Sequence, residues 1–438
     1  MSEHKSNRSV LYVGQCYYNH WYLSRELRKL GWKADQLNLE DNYENKNFYH
    51  GEDLTFGNPV YEDPAKKLEY YLYSLSTYRF FHFANKDGLY FIKDFDSTVN
   101  KGNHHLKKLF LKFVFKKIVK KRIGVLFRLF YFFGPKNSTK ILKFFANSFP
   151  ERWDILLLKY FDKKIAYTNN GCHDGVSKSS FKKWNTPTNE PVCTLCPLYY
   201  SDDLCTEADN HKWGQFRNAM VDYQTLLGSN RIDYNLSANA HENPWVYCLD
   251  KNLWSPDLLI PSNYILPIAS DTIKIYHAIG NNESRTVLGN KSIKSTHIYL
   301  PVLEKLKKEG HNIQLIFFND VPSKSVRYYQ AQADIFVDML SYGFFGANIR
   351  EGLMLGKPCV CYLRPEWLAD MKKELPEYVN ELPVISASEL DIYEVLKELI
   401  LNKTKREEIG KRSRAFAEKW HASDIAAIKM AAIYESLQ

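Results

Sequence analysis

The stretch ADIFVDMLSYGFFGANIREGLMLGKPCVCYL, residues 333–363, limits what this chain can fold into more than any other. Its order is an apolar strand (Ile335–Met339), a loop of Gly343, Phe344, Phe345 and Gly346, and a short helix carrying Glu351. A Gly356-Lys357-Pro358 stop and a second apolar strand follow. Two apolar strands joined through a helix pair side by side in a parallel sheet, and such sheets take ligands at the carboxyl ends of their strands. A helix beginning at that edge aims free N–H groups and a partial positive charge at the occupant, so an anion is the natural guest.

At 438 residues the chain exceeds what one hydrophobic core usually spans, and 45% hydrophobic content suffices for two. Its charge is unevenly placed. Residues 101–150 hold thirteen Lys and Arg and no acid, so the other residues total −4 within the chain's +9. The polar start MSEHKSNRS is unlike a signal peptide, and no apolar run reaches the roughly 18 residues a spanning helix needs. The expectation is a cytoplasmic protein with reduced cysteines.

Ser9–Gln15 reads as a strand, Tyr18–Leu30 as a helix ending at Gly31, and Ala34–Leu39 as a second strand: a βαβ opening of Rossmann-like type. Ala65–Leu75 follows as a helix, and Phe80–Ala84 reads as an apolar stretch containing His82. In the basic segment, Lys108, Lys112, Lys116 and Lys120 recur every four residues, while Leu111, Phe115, Ile118, Val125 and Leu129 run down another side. An amphipathic helix of this kind, over about 105–148, lies in an anionic membrane surface with its basic side at the headgroups. The competing readings are a basic face packed on the protein's own core and contact with nucleic-acid phosphates. Motifs that read a nucleic-acid groove are absent, so nucleic acid is not the expected partner.

Cys193 and Cys196 form a C-x-x-C, and Cys172 and Cys205 lie within reach in sequence. That quartet suits a structural zinc clip for the long polar loop 172–205; unliganded thiols are the alternative. Pro261, Asn263 and Pro267 mark a hinge, placing a boundary within 258–271. Beyond it strands and helices alternate: Ile273–Ala278, His297–Lys308, Ile313–Phe318, Ser323–Ala333, then the opening stretch. The loop after the first of these strands offers Gly280, Gly289, Arg285 and Lys294, glycines for close approach and cations for a diphosphate.

The run GFFGANIREGLMLGKP resembles the donor-site signature of GT-B glycosyltransferases of the family 4 type, E-G-F-G followed four residues later by E-A-M-A-x-G-K-P. Phe345-Gly346, Glu351 and Gly356-Lys357-Pro358 match, while Gly343 stands where the first Glu is usual. HAIGNNESRTVLGNKSIKST is similar to that family's phosphate-binding element: Lys294 matches its Lys, and Ser295 replaces a Gly. Asp250, Trp254 and Pro256 resemble the string that closes its first domain, with an aromatic between domains.

The resemblance implies an α/β fold of two Rossmann-like domains facing across a cleft. Residues 1–260 would bind acceptor and 261–420 a nucleotide sugar, with a helix over 421–438 crossing back to the first domain. It further implies that Glu351 binds the ribose hydroxyls, and that Gly280, Arg285, Lys294, Phe345, Gly346 and Asn348 surround the diphosphate and sugar. His173 and Asp174 occupy the place of an acceptor-facing loop, Asp174 being the first choice of base and a turn cap its alternative. His82 matches a cleft His, against a plain core histidine. The expected activity is transfer of a sugar, with retention, to a hydroxyl of a cell-surface glycan or lipid-linked acceptor at the inner face of the membrane. Alternatives are a nucleotide-sugar epimerase of the same shape and a zinc-clipped membrane scaffold.

Overall fold

The computed structural model describes residues 8–14, 18–39, 51, 53–56, 60, 64–84, 153–169, 179, 184–200, 205–226, 233–278, 286–318 and 321–438. The basic segment 105–148, with its expected membrane helix, lies outside the described residues. Among the described residues no helix is long and apolar enough to cross a membrane.

Two parallel sheets organise the chain. The first contains β1 (Ser9–Val13), β2 (Lys33–Asn38), β3 (Leu54–Thr55), β4 (Phe80–Phe83), β5 (Lys164–Thr168), β6 (Tyr223–Leu226) and β7 (Ala240–Glu242), in the order β3-β2-β1-β4-β5-β6-β7. Between them lie α1 (Asn19–Lys29), α2 (Pro64–Thr77), α3 (Trp153–Tyr160) and α4 (Glu207–Met220). α4 starts at Thr206, whose hydroxyl oxygen accepts from the Asp209 N–H, an N-cap that supplies one of the first turn's missing acceptors.

The second sheet contains β8 (Ile273–Ala278), β9 (Ile313–Phe318), β10 (Ile335–Val337), β11 (Cys359–Cys361) and β12 (Ile385–Ser386), ordered β12-β11-β10-β8-β9. Its helices are α5 (Thr296–Lys308), α6 (Ser323–Ala331), α7 (Ala347–Met354), α8 (Pro365–Glu374), α9 (Pro376–Glu381), α10 (Ile392–Leu401), α11 (Lys403–Trp420) and α12 (Ser423–Ser436).

Alternation along the strands decides the layering. Leu11, Val13, Phe81, Phe83, Ile165 and Tyr167 point to one face of the first sheet and pack on Tyr71, Leu75, Ile155, Leu158 and Trp213 of α2, α3 and α4. Val10, Tyr12, Phe80 and Ala166 take the opposite face, under α1 and α12. The second sheet divides likewise, with Ile275, Ile335, Val337 and Val360 against α5, α10 and α11. Tyr276, Phe336 and Cys359 face α7. There Gly352 lets the helix lie directly on the sheet, since a Cβ would fall 2.7 Å from the Phe336 ring and 2.8 Å from Cys359 Sγ.

One hydrophobic cluster is common to both halves, running from Val10 and Tyr12 through Trp254 to Ile349 and Leu353. Trp254 is fully buried; its ring lies 5.2 Å from that of Tyr18, and its indole N–H donates to Gln330 at 3.3 Å. The chain passes to the second sheet through the largely exposed residues 257–271. It returns at the end: Leu249 exchanges backbone hydrogen bonds with His421 and Ser423 at 2.8 and 2.9 Å, and α12 then lies against α1 and the first sheet.

Candidate functional site

In the second sheet β8 is followed by β9 on one side and, through α6, by β10 on the other. Successive connections thus leave the neighbouring strands β8 and β10 in opposite directions, which opens a crevice at their carboxyl ends. α7 begins there at Gly346, with no side-chain cap and no acid in its first turn. Its leading N–H groups and positive dipole end are therefore available to an anion. Asn348 anchors this turn by donating its side-chain amide to the Ala278 carbonyl at the end of β8, 3.1 Å. Phe345 faces inward, its ring edge-on to Trp367 at 5.9 Å.

Lys294 enters the same crevice. Its ammonium contacts both oxygens of fully buried Asp338, at 2.8 and 3.1 Å, and lies 3.7 Å from where a Gly346 Cβ would be. Asp338, the residue after β10, is held from the other side, since its carbonyl accepts from Tyr299. Ser295 has φ +63°, the left-handed conformation that favours the Gly usual in the resembled motif. Ser costs some strain there, but its hydroxyl accepts the Leu340 N–H at 2.9 Å and so ties the two loops together.

Glu351, one turn into α7, is buried. One carboxylate oxygen accepts from the Tyr18 hydroxyl at 2.7 Å, and the other from the Gln330 amide of α6. Burial pushes its pKa above the usual carboxylate range, and the Gln330 and Tyr18 hydrogen bonds pull it part of the way back. Tyr18 comes from the loop leaving β1, where the first sheet's own order reverses between β1 and β4. The carboxyl edges of the two sheets therefore meet at Glu351. Nothing in the sequence singled out Tyr18 or Gln330, because no local spacing relates Glu351 to residues 333 and 21 positions away.

Gly343 is more than a missing Glu. Its φ is +107°, and a Cβ would lie 2.9 Å from Arg364 Cβ and 3.2 Å from Arg364 Cζ. Left-handed backbone and the Arg364 side chain together exclude any acid at this position.

His82 is corrected to a core residue. It is wholly buried; Thr168 Oγ1 lies 2.7 Å from Nε2, and Tyr434 Oη of α12 lies 2.6 Å from Nδ1. Thr225 donates to Thr168 and Tyr434 to Tyr12, so a consistent chain has Thr168 donating to Nε2 and Nδ1–H donating to Tyr434. Burial, with His20 4.7 Å away, lowers its pKa well below the ordinary imidazole value. The ring secures α12 to the first sheet.

The other expected catalytic residues, His173 and Asp174, and the expected Gly280 and Arg285 lie outside the described residues, as does Cys172. Of the remaining metal candidates, Cys193 packs beside Val192, Met339 and Tyr342, and Cys205 accepts from the Asn210 amide at 3.8 Å. Cys193 lies within a short 3-10 turn, Val192–Leu195, and Cys196 caps its end, its N–H donating to the Cys193 carbonyl. Among the described residues no three His, Cys, Asp or Glu side chains converge as a metal site, so Cys193, Cys196 and Cys205 do not by themselves fit a zinc clip.

Two parallel sheets with facing carboxyl edges, a helix start at the second crevice and a terminal helix returning to the first sheet make this a GT-B fold of two Rossmann-like domains. The chain is similar over 98% of its length to a glycosyltransferase from Rickettsia africae ESF-5, at 12% identity, 98% coverage of that chain and a TM-score of 0.50. Sucrose-phosphate synthase from Thermosynechococcus elongatus gives 11%, 98% of each chain and 0.51. Anabaena Alr3699/HepE in complex with UDP gives 10%, 98% of this chain, 100% of that chain and 0.52. No family model and no curated protein matches the chain.

Proposed function

We propose that this protein is a glycosyltransferase that moves a sugar from a nucleotide-sugar donor to a hydroxyl acceptor. The observation that carries the reading is the uncapped start of α7 at the β8/β10 crevice, with Lys294 beside it. As the donor's glycosidic bond breaks, charge grows on the departing diphosphate. An ammonium and a helix N-terminus already aimed at that charge stabilise it without reorganising. Lys294 is held in place meanwhile by Asp338. Glu351 accepts the ribose hydroxyls, a diol suiting a carboxylate, and Asn348 fixes the turn that meets the sugar and phosphate. By the resemblance, Gly280 and Arg285, which follow β8 in the sequence, add close approach and a second cation.

The acceptor is presented from the first domain, with Asp174 or His173 orienting its hydroxyl. The basic, apolar segment 105–148 seats this domain on an anionic membrane surface, which favours a lipid-linked or cell-surface glycan acceptor. A HepE structure carries UDP and another UDP-glucose, which makes UDP sugars the first donors to try.

The test is calorimetric titration of the full chain with UDP-, GDP-, ADP- and CMP-sugars, beside Lys294→Ala and Glu351→Gln. The reading expects one nucleotide series to bind, with affinity reduced at least tenfold in both variants. Failure of every nucleotide to bind folded protein would remove the donor site and the glycosyltransferase reading with it.

A further inference from the structure

Arg364 follows β11 and caps α8, so it too stands at the carboxyl edge of the second sheet. The residue is only 5% exposed. One side of its guanidinium is covered by the Trp184 ring, 3.5 Å from Cζ to the centroid, and Gly343 packs against the side chain at the distances given above. None of Nε, Nη1 and Nη2 has a hydrogen-bond partner among the described residues. The acids nearest in sequence do not pair with it; Asp370 binds Lys373 at 2.8 Å. One turn further on, the indole N–H of buried Trp367 is likewise a donor without an acceptor.

An unpaired cation in a desolvated place is among the most costly features a fold can keep. Burial here lowers the guanidinium's pKa. Every unsatisfied group in the cluster is a donor, so the complementary partner is an oxyanion. With Trp184 stacked on the guanidinium, the in-plane N–H fork is the part left to bond, and a fork matches the two oxygens of a carboxylate. Gly343 is three residues from Gly346, at most about 11 Å along an extended chain. An anion held by Arg364 therefore sits beside the loop that leads into the diphosphate cradle.

We propose that Arg364 receives the carboxylate of the transferred sugar, so that the donor is a nucleotide-activated uronic acid. This rests on the glycosyltransferase reading above. Gly343 then has two roles: it leaves room for Arg364, and it keeps a repelling carboxylate away from the sugar. Trp184, from the first domain, holds the guanidinium flat, so the subsite is built by both domains.

The experiment compares matched donors by calorimetry on the full chain: UDP, UDP-glucose and UDP-glucuronate, then GDP, GDP-mannose and GDP-mannuronate. The uronate donor is expected to bind wild type at least tenfold more tightly than its neutral counterpart. Arg364→Gln should abolish that preference and leave the affinity for the nucleotide alone unchanged, with Arg364→Lys falling between. Arg364→Gln should also melt no lower than wild type without ligand, since it removes an unpaired buried charge.

Equal binding of the two sugars of a series whose nucleotide binds would overturn this inference and leave the glycosyltransferase reading intact. If no nucleotide binds, that reading fails first. Weakened binding of UDP or GDP itself in Arg364→Gln, or competition by inorganic phosphate that the variant loses, would mean that Arg364 holds phosphate. A melting temperature several degrees below wild type would make the guanidinium a structural group; both results count against the uronate.

Discussion

Replacing Tyr18 by Phe probes the meeting of the two domains at a single hydrogen bond. The ring is kept, with its neighbours Trp254 at 5.2 Å and Tyr22 at 5.6 Å, so the change deletes little besides the hydroxyl 2.7 Å from Glu351. A hydrogen bond to an ionised group contributes about 1.5–3 kcal/mol net, and Gln330 still serves the other carboxylate oxygen. The expected loss of stability is about 2 kcal/mol where Glu351 is ionised.

The loss must depend on pH. The Tyr18 bond favours the carboxylate and lowers its pKa, while burial raises that pKa above its ordinary 4.5. Because the folded-state pKa is raised, Glu351's own titration favours the fold at low pH, and that contribution is lost as pH rises through the folded value. Removing Tyr18 raises that value further, so the mutant's deficit is small while the carboxyl is protonated and grows as it ionises. Urea denaturation followed by tryptophan fluorescence, wild type against Y18F from pH 4.5 to 8, measures this directly. A deficit below about 0.5 kcal/mol at pH 8, or one independent of pH, would refute the reasoning, since either means that the hydroxyl does not hold a buried carboxylate.

Acid should destabilise the whole fold early. Burial holds His277 down to about 4 and His20 to about 3, and places His82 and His421 well below the ordinary imidazole value. These rings support the fold fully above about pH 6.5 and lose that support as pH falls towards the folded values, each at about 1.4 kcal/mol per pH unit; denaturation midpoints between pH 7.5 and 5 report it. Tyr434→Phe strands His82 Nδ1 and the Tyr12 hydroxyl, costing about 2–4 kcal/mol and releasing α12 first, which hydrogen exchange of residues 423–436 detects. Gly343→Ala forces a Cβ into left-handed backbone and to 2.9 Å from Arg364 Cβ, costing about 3 kcal/mol as a lowered urea midpoint with unchanged slope.

Much of the second domain was legible because its signals are local. The predicted strands at 273–278 and 313–318 and the helix before Gly310 follow from apolar period and stop residues within a few positions. The first domain was harder. Strand β6, YQTL, has no apolar alternation, and its Gln224 and Thr225 are buried only because side-chain and backbone partners satisfy them. The start of α4 carries a local signal, since the Thr206 hydroxyl accepts from the Asp209 N–H. At the site, Lys294 could be chosen from its place on a loop after a strand and Glu351 from the resemblance of its motif, whereas Arg364 is one more basic residue in sequence.

What the sequence determined by itself is the alternation of strand and helix, the anion-seeking start of α7 and the positions where glycine was required or replaced. Those properties depend on period, propensity and backbone sterics, which act over a turn or two. Only the tertiary structure decided that Tyr18 meets Glu351, that His82 holds α12 and that Arg364 is buried between Trp184 and Gly343. Each joins residues far apart in the chain, and burial and pairing are set by which strands become neighbours, a choice no local pattern encodes.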